Sequence, residues 1–77
     1  MKTFIKKRML ERHIGADTIS ERIGAKQSSF YRSLKSDMRV SRLFAVAQAM
    51  GYQLGFFDPN EKRFHKIEAS DIEEKEE

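Results

Sequence analysis

The sequence predicts a mostly α fold, four to five short helices followed by a short C-terminal β-hairpin or strand, and three observations point to it. Apolar residues recur at three- and four-residue spacing from Ile5 to Met50. Gly15, Gly24 and Gly51 stand where those stripes stop. After Gly51 the spacing shortens to two, in a segment rich in the aromatic residues that suit strands.

Lys2 to Arg12 contains no helix breaker. Ile5, Met9 and His13, with Leu10 beside them, give this basic helix one core-facing stripe, which Gly15 ends. Asp17 or Thr18 can cap a short second helix in which Ile19 and Ile23 share a face, and Gly24 supplies the left-handed residue that stops it. A turn from about Gly24 to Lys26 leads to a third helix, about Gln27 to Lys35, with Phe30 and Leu34 inside and an entirely polar outer side. The fourth helix, carrying Val40, Leu43, Phe44, Val46, Ala47 and Met50, has the densest apolar stripe and is the expected anchor of the core. Tyr52, Leu54 and Phe56 then share one strand face, Asp58-Pro59-Asn60-Glu61 suits a type I turn, and Arg63 to Ile67 can return as a second strand. The expected organisation is a helical domain over 1–51, a hairpin over 52–67, and an acidic tail without regular structure over 68–77.

Charge is distributed unevenly. Residues 1–67 hold 14 Lys/Arg against 6 Asp/Glu, a net of +8, whereas residues 68–77 hold one Lys and six acids, a net of −5. A basic body of this size fits a polyanionic partner, because each phosphate neutralised by Lys or Arg releases counterions. The acidic end either solubilises the chain or competes weakly for the basic face. With no Cys there is no thiolate metal site and no thiol nucleophile. His13 and His65 are far apart and lack companion ligands, and Ser28 and Ser29 have neither a base nor an orienting acid, so no metal site, cofactor or enzymatic activity is expected. No apolar run approaches the roughly 18 residues of a membrane span, and no signal-peptide core follows Met1-Lys2; a soluble, cytoplasmic chain is expected.

The informative stretch is TISERIGAKQSSFYRSLK, two short helices joined by a tight turn containing Gly. Such a helix-turn-helix needs small or apolar residues between the crossing helices, a residue free to take positive φ at the turn, and a polar outer face on the second helix. Ile19, Ser20, Ile23, Gly24 and Phe30 meet the first two requirements, and Gln27, Ser28, Tyr31, Arg32 and Lys35 the third.

Together with VSRLFAVAQAMGYQL, this stretch resembles the lambda-repressor-like (XRE or Cro-like) helix-turn-helix family of DNA-binding regulators, over about Ile5 to Leu54. The resemblance implies that Gln27 to Lys35 lies in the major groove of double-stranded DNA. Gln27 then stands where a Gln commonly meets an adenine edge, and Ser28 and Arg32 match two further base-facing positions. It also implies that Arg39 and Arg42 contact the DNA backbone; Lys26 and Lys35, at the two ends of the third helix, are expected to do the same. The side chains suit these roles: Gln matches the N6 and N7 groups of adenine, and Arg the O6 and N7 of guanine. Tyr31 can meet a thymine methyl or a phosphate. Relative to the family, Ser20 replaces a usual Ala, the recognition helix lacks a Ser or Thr cap, and its second buried position is Leu34 rather than Ser33.

The function expected from these residues is that of a dimeric transcriptional regulator, a phage-type repressor or Cro-like protein on an inverted-repeat operator. Two alternatives keep the fold: an antitoxin-type autorepressor with a toxin partner, and a protein-interaction module that does not bind DNA. Tyr52, Leu54, Phe56, Phe57, Phe64 and Ile67 offer more apolar surface than a two-stranded ribbon can hide, so the hairpin is the expected homodimer contact.

Overall fold

The computed structural model describes residues 2–73, in the order α1 (Lys2–Arg12), α2 (Ala16–Ile23), α3 (Gln27–Lys35), α4 (Val40–Ala49), β1 (Gly55–Asp58), β2 (Arg63–Lys66) and α5 (Ala69–Glu73). The chain is mostly helical with a two-stranded antiparallel sheet towards its C-terminal end, as its periodicity predicts. Among the described residues no helix is long and apolar enough to cross a membrane.

These helices are too short to persist alone, since nucleation is costly and isolated helices under about 12 residues are marginal in water. They are held by one core of Ile5, Ile19, Phe30, Leu34, Val46, Ala49 and Met50, drawn from all of the first four helices and the residue that closes α4. Met9, Ile14, Ile23, Met38, Leu43 and Tyr52 pack around its edge. Three residues of the expected core stripes are exposed, among them His13, which follows the end of α1. Leu10 is 77% exposed, because α1 turns only the Ile5–Met9 line inwards, and Val40 is 56% exposed at the first turn of α4, before that helix enters the core.

Three helices end in the same closure, a left-handed residue followed by an N–H that reaches back five residues. Gly24 has φ 72° and Ala25 N–H donates to Ser20 O at 2.9 Å; Gly51 has φ 84° and Tyr52 N–H donates to Ala47 O at 2.8 Å. In α1 the left-handed residue is His13, at φ 56°, with Ile14 N–H donating to Met9 O at 3.0 Å. The expectation that Gly15 stops α1 is therefore corrected. Gly15 instead has extended backbone as the N-cap of α2, and Ile19 N–H donates to its carbonyl at 3.1 Å. Neither Asp17 nor Thr18 caps α2; both fall inside its first turn, where the Asp17 carboxylate faces the positive helix end.

The first strand also begins later than expected, whereas the second begins at Arg63 as expected. Gly55 pairs with Lys66, Phe56 with His65, Phe57 with Phe64 and Asp58 with Arg63. Tyr52 and Leu54 precede the ladder, although Ile67 N–H still donates to Leu54 O at 2.8 Å. Within the ladder Phe56 shares its strand face with Asp58, Arg63 and His65, and Phe57 and Phe64 form the cross-strand pair on the other face. Gly55 is required at its position: a Cβ there would overlap the His65 carbonyl and the Phe64 ring. In the turn, Asp58 Oδ1 accepts from Asn60 N–H at 2.9 Å and Glu61 N–H at 3.4 Å, so the side chain imitates a backbone turn.

The expected irregular tail is helical over Ala69–Glu73; residues 74–77 lie outside the described residues. Glu68 N–H donates to Asp71 Oδ2 at 2.8 Å, and Asp71 N–H donates to Glu68 O at 3.0 Å, the backward half of a capping box.

Because a left-handed L-residue costs roughly 1–2 kcal/mol and glycine gives back only part of that through unfolded-state entropy, His13→Gly is expected to stabilise the fold by about 0.5–1 kcal/mol. Urea unfolding followed by circular dichroism measures this, and a lowered midpoint would refute it.

Candidate nucleic-acid interface

The rotation of α3 follows from two side chains. Phe30 is fully buried and Leu34 nearly so, and at 3.6 residues per turn their direction leaves Ser28, Arg32 and Lys35 on the opposite side. Tyr31 flanks that side on one edge, and Ser29 and Ser33, both half-buried, flank it on the other, while Gln27, nearly in line with Leu34, is exposed in the first turn. All five residues expected on the outer face, Gln27, Ser28, Tyr31, Arg32 and Lys35, are exposed. The buried position is Leu34, as the apolar spacing predicts, while Ser33 satisfies its hydroxyl by donating to Ser29 O at 3.0 Å.

α2 lies against both α3 and α4. Ser20 is buried in α2 and spends its hydroxyl on Ala16 O at 2.7 Å, so a polar residue occupies a core position without an unpaired donor. Arg22 Nη1 donates to Ala49 O at 2.6 Å, and Arg12 Nη1 donates to Met50 O at 3.2 Å while its guanidinium carbon sits 4.0 Å from the centre of the Tyr52 ring. Two cations thereby cover the carbonyl end of α4, where the helix dipole is negative. Arg8 is engaged as well, 3.1 Å from Glu11 and 5.1 Å from the Phe4 ring centre.

The phosphate-contacting candidates frame α3. Lys26 is its N-cap residue, with no side-chain capping bond, and Lys35 closes it; both are exposed. Arg39 is exposed as the N-cap of α4, and Arg42 is half-buried one turn into that helix. Arg39 and Arg42 meet in an open groove of about 510 Å³ with Ser33, Ser36 and Ser41, into which Asp37 brings one carboxylate. Arg42 Nη1 is buried and makes no hydrogen bond among the described residues. A buried donor left unpaired costs about 1–3 kcal/mol, which an incoming acceptor oxygen would recover.

The candidate dimer residues divide into two groups. Tyr52 and Leu54 are half-buried at the hairpin root, Tyr52 against the core. Phe56, Phe57 and Phe64 are 74%, 59% and 44% exposed, and among the described residues no strand Cα lies within 8 Å of a helix Cα. The sequence reading also sets His65 aside as a surface residue, yet the turn brings a donor atom of Asp58, Glu61 and His65 within 4.8 Å of one another. Lys62 and Arg63 follow Glu61 directly in the chain and repel a cation at that exposed corner.

Comparison of the chain with family models, curated proteins and solved structures returned no match.

Since a hydrogen bond from a charged donor contributes about 1.5–3 kcal/mol, Arg22→Met is expected to destabilise the domain by about 1–2 kcal/mol while leaving the outer face of α3 unaltered. Thermal unfolding with amide chemical shifts of Gln27–Lys35 checks both halves of this expectation.

Proposed function

We propose that the chain is a sequence-specific regulator of transcription that binds double-stranded DNA by laying α3 in the major groove. The observation that carries this reading is the outer face of α3, polar and basic along its whole length, with its rotation set by Phe30 and Leu34 and its C-terminal end flanked by Arg39 and Arg42. A major groove about 12 Å wide accepts one helix. Gln27 and Arg32, five residues apart, face successive base steps, with Ser28 and Tyr31 between them. Lys26, Lys35, Arg39 and Arg42 hold phosphates; Arg42 gains an acceptor for its unpaired nitrogen in doing so. Occupying an operator in this way blocks or tunes a nearby promoter without a cofactor or a catalytic step.

A homodimer joined through the hairpin belongs to the same reading. Three exposed phenylalanines on a ribbon with open edges invite another chain, and twofold pairing would set the two α3 helices about one DNA turn, roughly 34–36 Å, apart. The same aromatic surface favours a second reading, an antitoxin-type autorepressor whose hairpin holds a toxin.

Arg32→Ala is expected to cost about 1–3 kcal/mol on the preferred site and to flatten preference at one base pair, whereas Arg42→Ala weakens all sequences alike and lowers the salt slope by about one. Selection from a random duplex pool, followed by titrations at several salt concentrations, separates the two; an unchanged sequence preference in Arg32→Ala would remove α3 as the reading helix.

The Phe56 ring is largely exposed, so Phe56→Asp is expected to keep the helical circular dichroism and to sediment as a monomer. It should also lose far more affinity for a full inverted repeat than for a half-site. A folded variant that remains dimeric would move the dimer contact elsewhere.

A further inference from the structure

The free edge of β1 can be read group by group. Ile67 N–H donates to Leu54 O, so Leu54 and Ile67 open the ladder as a hydrogen-bonded pair. Hydrogen-bonded and non-hydrogen-bonded pairs alternate along an antiparallel ladder, which makes Phe56 with His65 and Asp58 with Arg63 hydrogen-bonded pairs as well. The N–H and C=O groups of Gly55 and Phe57 therefore point away from β2, and among the described residues no helix Cα comes within 8 Å of a strand Cα to cover them. Pro59, just past the strand, has no N–H with which to continue that edge. The two strands also differ in charge. β2 carries Arg63 and Lys66 and follows Lys62, a guard of the kind that keeps edges apart, whereas β1 carries only Asp58, at its end. The exposed parts of the Phe56, Phe57 and Phe64 rings come to about 350 Å² per chain, taking roughly 200 Å² for a whole ring. Two such sets fall short of the roughly 1,000 Å² of a specific interface, so a stable contact has to cover backbone as well as rings.

We propose that two copies of the chain join β1 to β1 about a twofold axis at Phe56, making one continuous antiparallel sheet in the order β2–β1–β1–β2. The proposal rests on the homodimer reading, to which it adds the edge and the register, and it does not depend on DNA. With Phe56 opposite its own copy, Gly55 and Phe57 of each chain face Phe57 and Gly55 of the other, so the outward N–H groups of both meet carbonyls. A twofold at Gly55 would instead pair Phe57 with Gln53, which lies before the ladder, and one at Phe57 would set Pro59, without an N–H, opposite Gly55. In the register at Phe56 the two most exposed rings form a non-hydrogen-bonded pair, whose Cα atoms are about 4.5 Å apart and whose side chains are closest. On the other face each Phe57 stands across from the other chain's Gly55, beside the Phe64 ring that already closes over that glycine. The two Asp58 carboxylates fall at opposite ends of the contact. β2 stays outermost on both sides, where its cations discourage a further strand. A twofold contact of this kind closes on itself, whereas β1 against β2 would continue from copy to copy.

The chain has no Cys, so a single introduced one can only bridge two copies. Sedimentation of the unaltered protein over a range of concentrations gives its oligomeric state, and three preparations are then oxidised in a glutathione buffer. They are Phe56→Cys, His65→Cys on β2, and an equal mixture of Leu54→Cys with Asp58→Cys, which keeps Phe56 and which the register sets opposite one another. Phe56→Cys is expected to become mostly covalent dimer and His65→Cys to stay mostly single-chain. The mixture is expected to give about fivefold more mixed disulfide than either of its members gives of its own, since a bridge needs Cα atoms about 4.4–6.8 Å apart. A dimer in which His65→Cys bridges as readily, or in which the mixture shows no excess of mixed disulfide, overturns the β1 edge and leaves the homodimer reading standing. A protein that sediments as a monomer throughout removes both. Because Phe56→Cys takes a ring out of the contact, an isotope-filtered spectrum of mixed labelled and unlabelled unaltered protein gives a second measurement. An Hα–Hα contact between Phe56 of one chain and Phe56 of the other is expected, and contacts between the two β2 strands in its place overturn the proposal.

Discussion

Burial of Phe30 and Leu34 is the constraint on which the rest of the domain depends. α3 has nine residues, and its shape comes from packing rather than from its own helix propensity. The two side chains point into a core shared with Ile5, Ile19, Val46 and Met50, which determines the helix rotation. One step of about 100° would exchange Arg32 for Ser33 on the outer face and bring Lys35 to where Leu34 now packs. Core and candidate interface are therefore two sides of one short helix, and loss of either apolar anchor would degrade both.

The basic charge of the body does two kinds of work, which the structure separates by place. Arg12 and Arg22 bind the carbonyl end of α4, tying α1 and α2 to it, and Arg8 pairs with Glu11 and Phe4. Lys26, Arg32, Lys35 and Arg39 stay exposed around α3, and Arg42 stands half-buried beside them. A helix ending in uncovered carbonyls attracts cations, and one beginning in uncovered amides attracts anions. α4 does both. Its C-terminal end organises the core, while its N-terminal end faces the groove with Arg39 and Arg42.

Beyond α4 the chain changes character. The hairpin is held by its own ladder, the Asp58 turn and the close approach of Phe64 to Gly55, and among the described residues no strand Cα comes within 8 Å of a helix Cα. An isolated two-stranded ribbon is marginal in water, and the rings of Phe56, Phe57 and Phe64 on it are exposed. α5 returns to the helical body, with Asp71 and Ile72 in a cleft shared with Arg39, Val40 and Ser41.

Periodicity by itself determined the number and type of the first four helices, the buried pair Phe30 and Leu34, the polar outer face of α3 and the existence of a hairpin. Each is a local pattern of apolar spacing and glycine placement. Tertiary structure alone decided the division of arginines between core and surface, since Arg12 and Arg22 reach distant carbonyls while Arg42 Nη1 reaches no acceptor among the described residues, and spacing carries no record of that. It also decided that His13 rather than Gly15 turns left-handed, because the closure is chosen by where α2 must begin to bury Ile19. The start of β1 at Gly55 and its pairing with Lys66 were set by the partner strand, which alternation alone leaves open. The short acidic helix had a signal, Glu68 three residues before Asp71, but its charge run masked it, and its seat on α4 exists only once Ile67 and Ile72 have a cleft to enter.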